Sequence, residues 1–176
     1  MKYIILDPGH AYPATMMEFL NRYERKAIAI FTEEWQRQIF QELFSGDLGV
    51  CLADEYLVTE FESLEAMATK ILEDWGEELE GIIPWAEFTL ELGAKLGALL
   101  GMDWNPPEVV HRFRNKYDLK EYLRCNSEVR INASSIVETE EEAIAFQERV
   151  GTWPMVVKPT ERSEERRVGK ECRSRW

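Results

Sequence analysis

The sequence predicts an α/β protein: a small doubly wound parallel sheet, followed by the opening of a second α/β unit. Short apolar runs bounded by turn residues (KYIILD, AIAIF, YLVTEF and GIIPW) alternate with stretches whose apolar residues recur every three or four positions. Strand–helix alternation of this kind favours parallel pairing, because each crossover returns the chain to the same end of the sheet. Helix-start residues stand between the two periodicities, notably Thr32 and Ser63.

In chain order, KYIILD ends in the turn Asp7-Pro8-Gly9. Thr15–Tyr23 reads as a short helix with Met16, Phe19 and Leu20 inward, and residues 27–31 as a second strand. Thr32 is expected to cap a helix through Leu43, with Glu33 and Glu34 complementing its positive end. YLVTEF is the third strand. Ser63 caps a helix whose Leu64, Met67, Ile71 and Trp75 make a core stripe rather than a cofactor box. GIIPW is the fourth strand. A helix over Phe88–Leu100 follows, its Gly93, Ala94, Gly97 and Ala98 permitting close packing. Residues 1–104 form this first domain.

Residues 105–161 read as the beginning of a second. Asn105 can cap a helix running from Pro106 through Arg124, with both prolines in its opening positions. Arg112, Lys116, Leu119 and Leu123 share one stripe of it, so Lys116 leans along an apolar face. A strand is expected over Arg130–Val137. Thr139 and Glu142 then make a capping box, and Gly151 suits the left-handed C-terminal position. Glu140, Glu141 and Glu142 complement that helix dipole and are not read as a metal site. A last strand, Trp153–Pro159, turns Met155 and Val157 one way, Val156 and Lys158 the other. Lys158 reads equally well as a solvated strand end or as a functional cation.

A formal charge of −12 argues against nucleic acid or an anionic membrane as partner, and an apolar content of 45% excludes a disordered chain. Cys51, Cys125 and Cys172 form no CxxC pair. No signal peptide or membrane span is visible, which places the protein in the cytoplasm. The loop DPGHAYPAT lacks dinucleotide-binding glycine spacing, and His10 and His111 are read as ordinary polar residues.

HRFRNKYDLKEYL, ETEEEAIAF and WPMVVKP together resemble the opening of an ATP-grasp domain, over roughly Pro84 to Thr160. In that family a lysine on the helix and a lysine ending the "VKP" strand touch ATP phosphates; by position these are Lys116 and Lys158. Asn115 replaces the more frequent acid before the first lysine. The resemblance makes the first unit a pre-ATP-grasp domain and Glu87 the counterpart of an acid found there, although Glu87 also suits a plain helix start. It implies a ligase that phosphorylates a carboxylate with ATP and Mg²⁺ and lets an amine or thiol attack the acylphosphate. Amino-acid or peptide ligation is the first expectation. Small-molecule carboxylates and amines are the implied partners, with a homodimer left open. The alternative is a non-catalytic α/β small-molecule-binding module in which both lysines are surface cations.

From Arg162 the chain reads RSEERRVGKECRSRW. Its five arginines and Lys170 outweigh three glutamates by +3, leaving −15 of the total −12 to the 161 residues before it. This stretch resembles the in-frame translation of a common sequencing adapter. It is therefore expected to be a non-native tail on a truncated ATP-grasp fragment, without the glycine-rich loop and the metal ligands and without ligase activity.

Overall fold

The computed structural model describes residues 1–8, 13–44, 52–151 and 154–160. Gly9 and His10, Cys51, Trp153 and the tail from Arg162 lie outside the described residues. The chain divides after Val110 into two compact units.

The first unit is the expected doubly wound α/β domain. Its strands β1 (Lys2–Leu6), β2 (Lys26–Phe31), β3 (Leu52–Leu57) and β4 (Leu79–Pro84) form one sheet in the order β3-β2-β1-β4. All three pairings are parallel, with Ile4 opposite Ile28 on one side and Ile82 on the other. Helices α1 (Pro13–Arg22) and α2 (Glu34–Phe44) supply Met16, Leu20 and Phe40 to one face. Helices α3 (Leu64–Trp75) and α4 (Leu90–Leu99) supply Met67, Ala68, Ile71 and Leu96 to the other. The alternation of side chains along a strand divides β1 and β2 between these cores: Ile4 and Leu6 enter one, Ile5 the other. Strands buried on both faces read as continuous apolar runs, which is why KYIIL and AIAIF were legible. Burying Ile28, Ile30 and Phe31 stabilises the unit by about 1.5–3 kcal/mol each.

Three local expectations need correction. Phe19, expected inward on α1 with Met16 and Leu20, is exposed. The cap of α2 is Glu33, whose carbonyl accepts from Gln36 and Arg37 N–H; Thr32 is used otherwise. The Asp7 carboxylate accepts from the Thr32 N–H at 2.8 Å and from its hydroxyl at 2.7 Å. Asp7 is 1% exposed and holds a left-handed φ of 49°, a conformation Asp tolerates better than most residues. The hydroxyl that would cap the helix therefore ties the end of β1 to the start of α2. Strand β3 begins at Leu52 and stops at Leu57, so Val58–Glu60 of the expected strand is a 3-10 turn. Asp54 and Glu55 hid this strand from a hydrophobicity reading because β3 is a sheet edge, where half-exposed polar residues are tolerated. The Ser63 cap forms as expected, accepting from Ala66 N–H at 3.2 Å.

Tyr56 joins β3 to α3. Its hydroxyl donates to Asp74 at 2.8 Å and accepts from the Trp75 indole N–H at 3.2 Å, while Lys70 donates to the same carboxylate at 2.7 Å. Burial, with Asp74 as hydrogen-bond acceptor, pushes the Tyr56 hydroxyl pKa up. A tyrosine with a raised folded-state pKa contributes stability that is complete below its ordinary value of about 10 and is lost as pH rises beyond it. Tyr56→Phe is expected to lose about 1–2 kcal/mol near neutral pH, because Asp74 and Trp75 lose a partner. Denaturant unfolding at pH 7 and 11 checks this: the gap between wild type and variant should narrow at the higher pH.

The second unit, described over His111–Gly151 and Pro154–Thr160, is helical where it is regular. The single helix expected from Pro106 to Arg124 is two: α5 (Pro107–Arg114), which starts in the first unit, and α6 (Lys116–Asn126). Pro106 provides the first helical carbonyl of α5, accepting from Val109 and Val110 N–H, so its cap lies one residue beyond Asn105. Helix α7 (Glu140–Val150) has Thr139 at its N-cap, accepting from Glu142 N–H, and Gly151 at φ 69° beyond its end. The Glu142 side chain accepts from Glu138 N–H at 2.7 Å, so the reciprocal half of the box sits one residue early. The strands expected over Arg130–Val137 and up to Pro159 are absent among the described residues. Val129, Ile136, Val156 and Val157 are exposed there. A strand exists only against a partner ladder, and an isolated pair is marginal in water, so strand-like composition alone does not form one.

Candidate functional site

The break at Asn115 decides where Lys116 points. Asn115 has extended dihedrals, φ −85° and ψ 108°, and its side-chain oxygen accepts from Tyr117 N–H at 3.0 Å and Asp118 N–H at 3.1 Å. Lys116 is thus the first residue of α6, not a mid-helix residue on the Arg112–Leu123 stripe. That stripe reading is overturned, because the i,i+4 spacing holds only within one uninterrupted helix.

From this position Lys116 reaches the C-terminal segment twice. Its N–H donates to the Thr160 carbonyl at 2.9 Å, and its ammonium donates to the Pro159 carbonyl at 3.3 Å. The structure therefore brings Lys116 onto the segment that carries Lys158, one residue from it. Lys158 is exposed. At 3.3 Å the ammonium bond is longer than the 2.7–2.9 Å typical of a strong charge-assisted bond. On the far side of the break, His111 Nε2 lies 3.7 Å from an Asp118 carboxylate oxygen, and the Arg112 guanidinium stacks 4.1 Å from the Tyr122 ring centroid. Both contacts span α5 and α6 and brace the angle between them.

The N-terminal N–H groups of α6 are taken by Asn115 and Thr160. Among the described residues no three His, Cys, Asp or Glu side chains gather to hold a metal. Glu87 opens a 3-10 turn, Glu87–Thr89, ahead of α4 and is exposed, in keeping with a helix-start acid. No helix among the described residues is long and apolar enough to cross a membrane.

Sequence reasoning missed the role of Asn115, which it treated only as a motif position. The signal was there: Asn followed three residues later by an acid, Asp118, is a helix-start pattern, but it stood inside a stretch whose apolar periodicity runs on unbroken.

No family profile matches the sequence, and no curated protein matches it. In fold, the chain is similar to the crystal structure of an L-amino acid ligase from Bacillus licheniformis, with a TM-score of 0.52 and 16% identity. The likeness covers 85% of this chain and 42% of that one, so the chain spans less than half the length of the ligase it resembles. What the two share at this identity is the α/β fold.

Proposed function

We propose that the chain is part of an ATP-dependent ligase that joins a carboxylate to an amine or thiol through an acylphosphate. Lys116 and Lys158 bind the ATP phosphates in this reading. The observation that carries it is the docking of Lys116 on Pro159 and Thr160, which sets a helix lysine beside the Lys158 segment, in the order the "NK…VKP" resemblance requires. The fold likeness to an L-amino acid ligase supports amino acids as the substrate class.

Positive charge held against the phosphates stabilises the charge that develops on the transferred group, the main catalytic contribution in phosphoryl transfer. Mg²⁺, when bound, supplies further charge neutralisation. The residues of this chain contribute the two ammonium groups, and Asn115 fixes the first of them.

The test is a titration of ATP into the isotope-labelled chain, followed by amide chemical shifts. The expected result is saturable change at Lys116, Lys158 and Thr160, with a dissociation constant on the order of millimolar. Unmoved resonances at both places up to about 10 mM would contradict the reading. The 176-residue chain itself is expected to turn over no ATP, since it spans only 42% of the ligase it resembles. Measurable ADP release from pure protein would overturn that expectation.

A non-catalytic α/β binding module is the second reading. It is favoured by the same two hydrogen bonds, which equally well describe a lysine whose work is to hold a chain segment in place. The module reading predicts that the segment's order, and not nucleotide binding, responds to Lys116→Met.

A further inference from the structure

We propose that Asn115 is the positioning residue of this site. It ends one helix and begins the next within a single residue, and so aims Lys116 at the Lys158 segment. The proposal rests on the phosphate reading of Lys116 and Lys158.

Nothing else in HRFRNKYDLKEYL requires a break. The stretch has neither proline nor glycine, and its apolar periodicity continues across Asn115. Asn115 N–H still donates to His111 O at 2.9 Å, closing the last turn of α5 as an unbroken helix would. In an unbroken helix Lys116 N–H would next donate to the carbonyl four residues earlier, on Arg112. It donates to Thr160 O instead, because Asn115 has left helical dihedrals and its side chain has taken the Tyr117 and Asp118 N–H groups. Asn favours this state, since its side chain competes for backbone N–H groups and so prefers caps to helix interiors. Alanine, the best helix former, favours the unbroken alternative.

With Asn115 in place, all three N–H groups of the first turn of α6 are occupied. The Lys116–Thr160 backbone bond then sets where α6 begins relative to the segment that carries Lys158. Losing the cap lets Lys116 rotate into the Arg112–Leu123 stripe and releases Pro159 and Thr160.

Asn115→Ala and Asn115→Ser test this in the full 176-residue chain. Serine restores a neutral cap of similar strength. Two readouts are needed: nuclear Overhauser contacts between the Lys116 amide proton and residues 159–160, and the ATP affinity from shift titration. The expected result is loss of those contacts and about fivefold weaker ATP binding in Asn115→Ala, with both restored in Asn115→Ser. Retained contacts in Asn115→Ala would overturn the proposal. So would lost contacts with unchanged affinity, or failure of serine to rescue. Lys116→Met and Lys158→Met separate the two claims: if neither changes ATP affinity, the phosphate reading has failed, and the contacts alone decide whether Asn115 holds the segment.

Discussion

Replacing Gly93 by valine is expected to cost the first unit about 3 kcal/mol and to lower its melting temperature by more than about 10 °C. Gly93 faces β4 from α4, and a Cβ there would lie 2.5 Å from Pro84 Cγ and 3.3 Å from Leu6 Cδ1. The proline ring cannot swing aside as a long side chain could, so helix and strand must separate, and Leu6 and Leu96 lie in the core they close. Gly97, one turn on, is the control. A Cβ at that position meets Ile82 and Trp104 at 3.5 and 3.6 Å, ordinary contact distances. Gly97→Ala should therefore be neutral or stabilise by up to about 1 kcal/mol through helix propensity. Thermal unfolding of the two variants checks the contrast, and equal destabilisation would show that the packing of α4 on β4 is misread.

Lys116→Met and Lys158→Met are each expected to weaken ATP binding about tenfold or more. Methionine keeps the length and apolar stem of lysine and removes only the charge. A hydrogen bond to a charged group contributes about 1.5–3 kcal/mol, so loss of one ammonium from a phosphate corresponds to at least tenfold in affinity. The double variant should lose less than the product of the single losses, because two ammonium groups on one triphosphate share partners. Isothermal titration of the three variants measures this. Lys120→Met, which removes a lysine elsewhere on α6, should bind as the wild type does. Losses equal to those of the Lys120 variant would mean that any lysine of this region, and not a built site, serves ATP.

The first unit was legible because its physics is local or nearly so. β1 and β2 are buried on both faces and contain almost nothing but apolar residues, and the α3 stripe of Met67 and Ile71 follows one helical period. β3 was misplaced because an edge strand needs only one well-buried end, here Tyr56 and Leu57. The Thr32 cap was misread because its competitor, Asp7, lies 25 residues away and meets it only when β1 and β2 pair.

The second unit was less legible, for the opposite reason. Its strands were inferred from composition, yet Val129, Ile136 and Val156 are more than half exposed and no ladder forms beside them. Composition states what a segment could pair with, not whether a partner is at hand. Lys116 and Lys158 were singled out by a motif resemblance. The break that places Lys116 at the start of α6 falls at one asparagine inside a periodic pattern, and a periodicity argument weighs such a residue too lightly.

The most direct test of the central claim uses ATP carrying an acyl group on its γ-phosphate, which acylates lysine amines held against the phosphates. Peptide mapping after brief labelling should find the tag on Lys116 and Lys158 ahead of Lys26, Lys70, Lys95 and Lys120, and excess ATP should suppress it. Equal labelling of all six lysines, unaffected by ATP, would contradict the account.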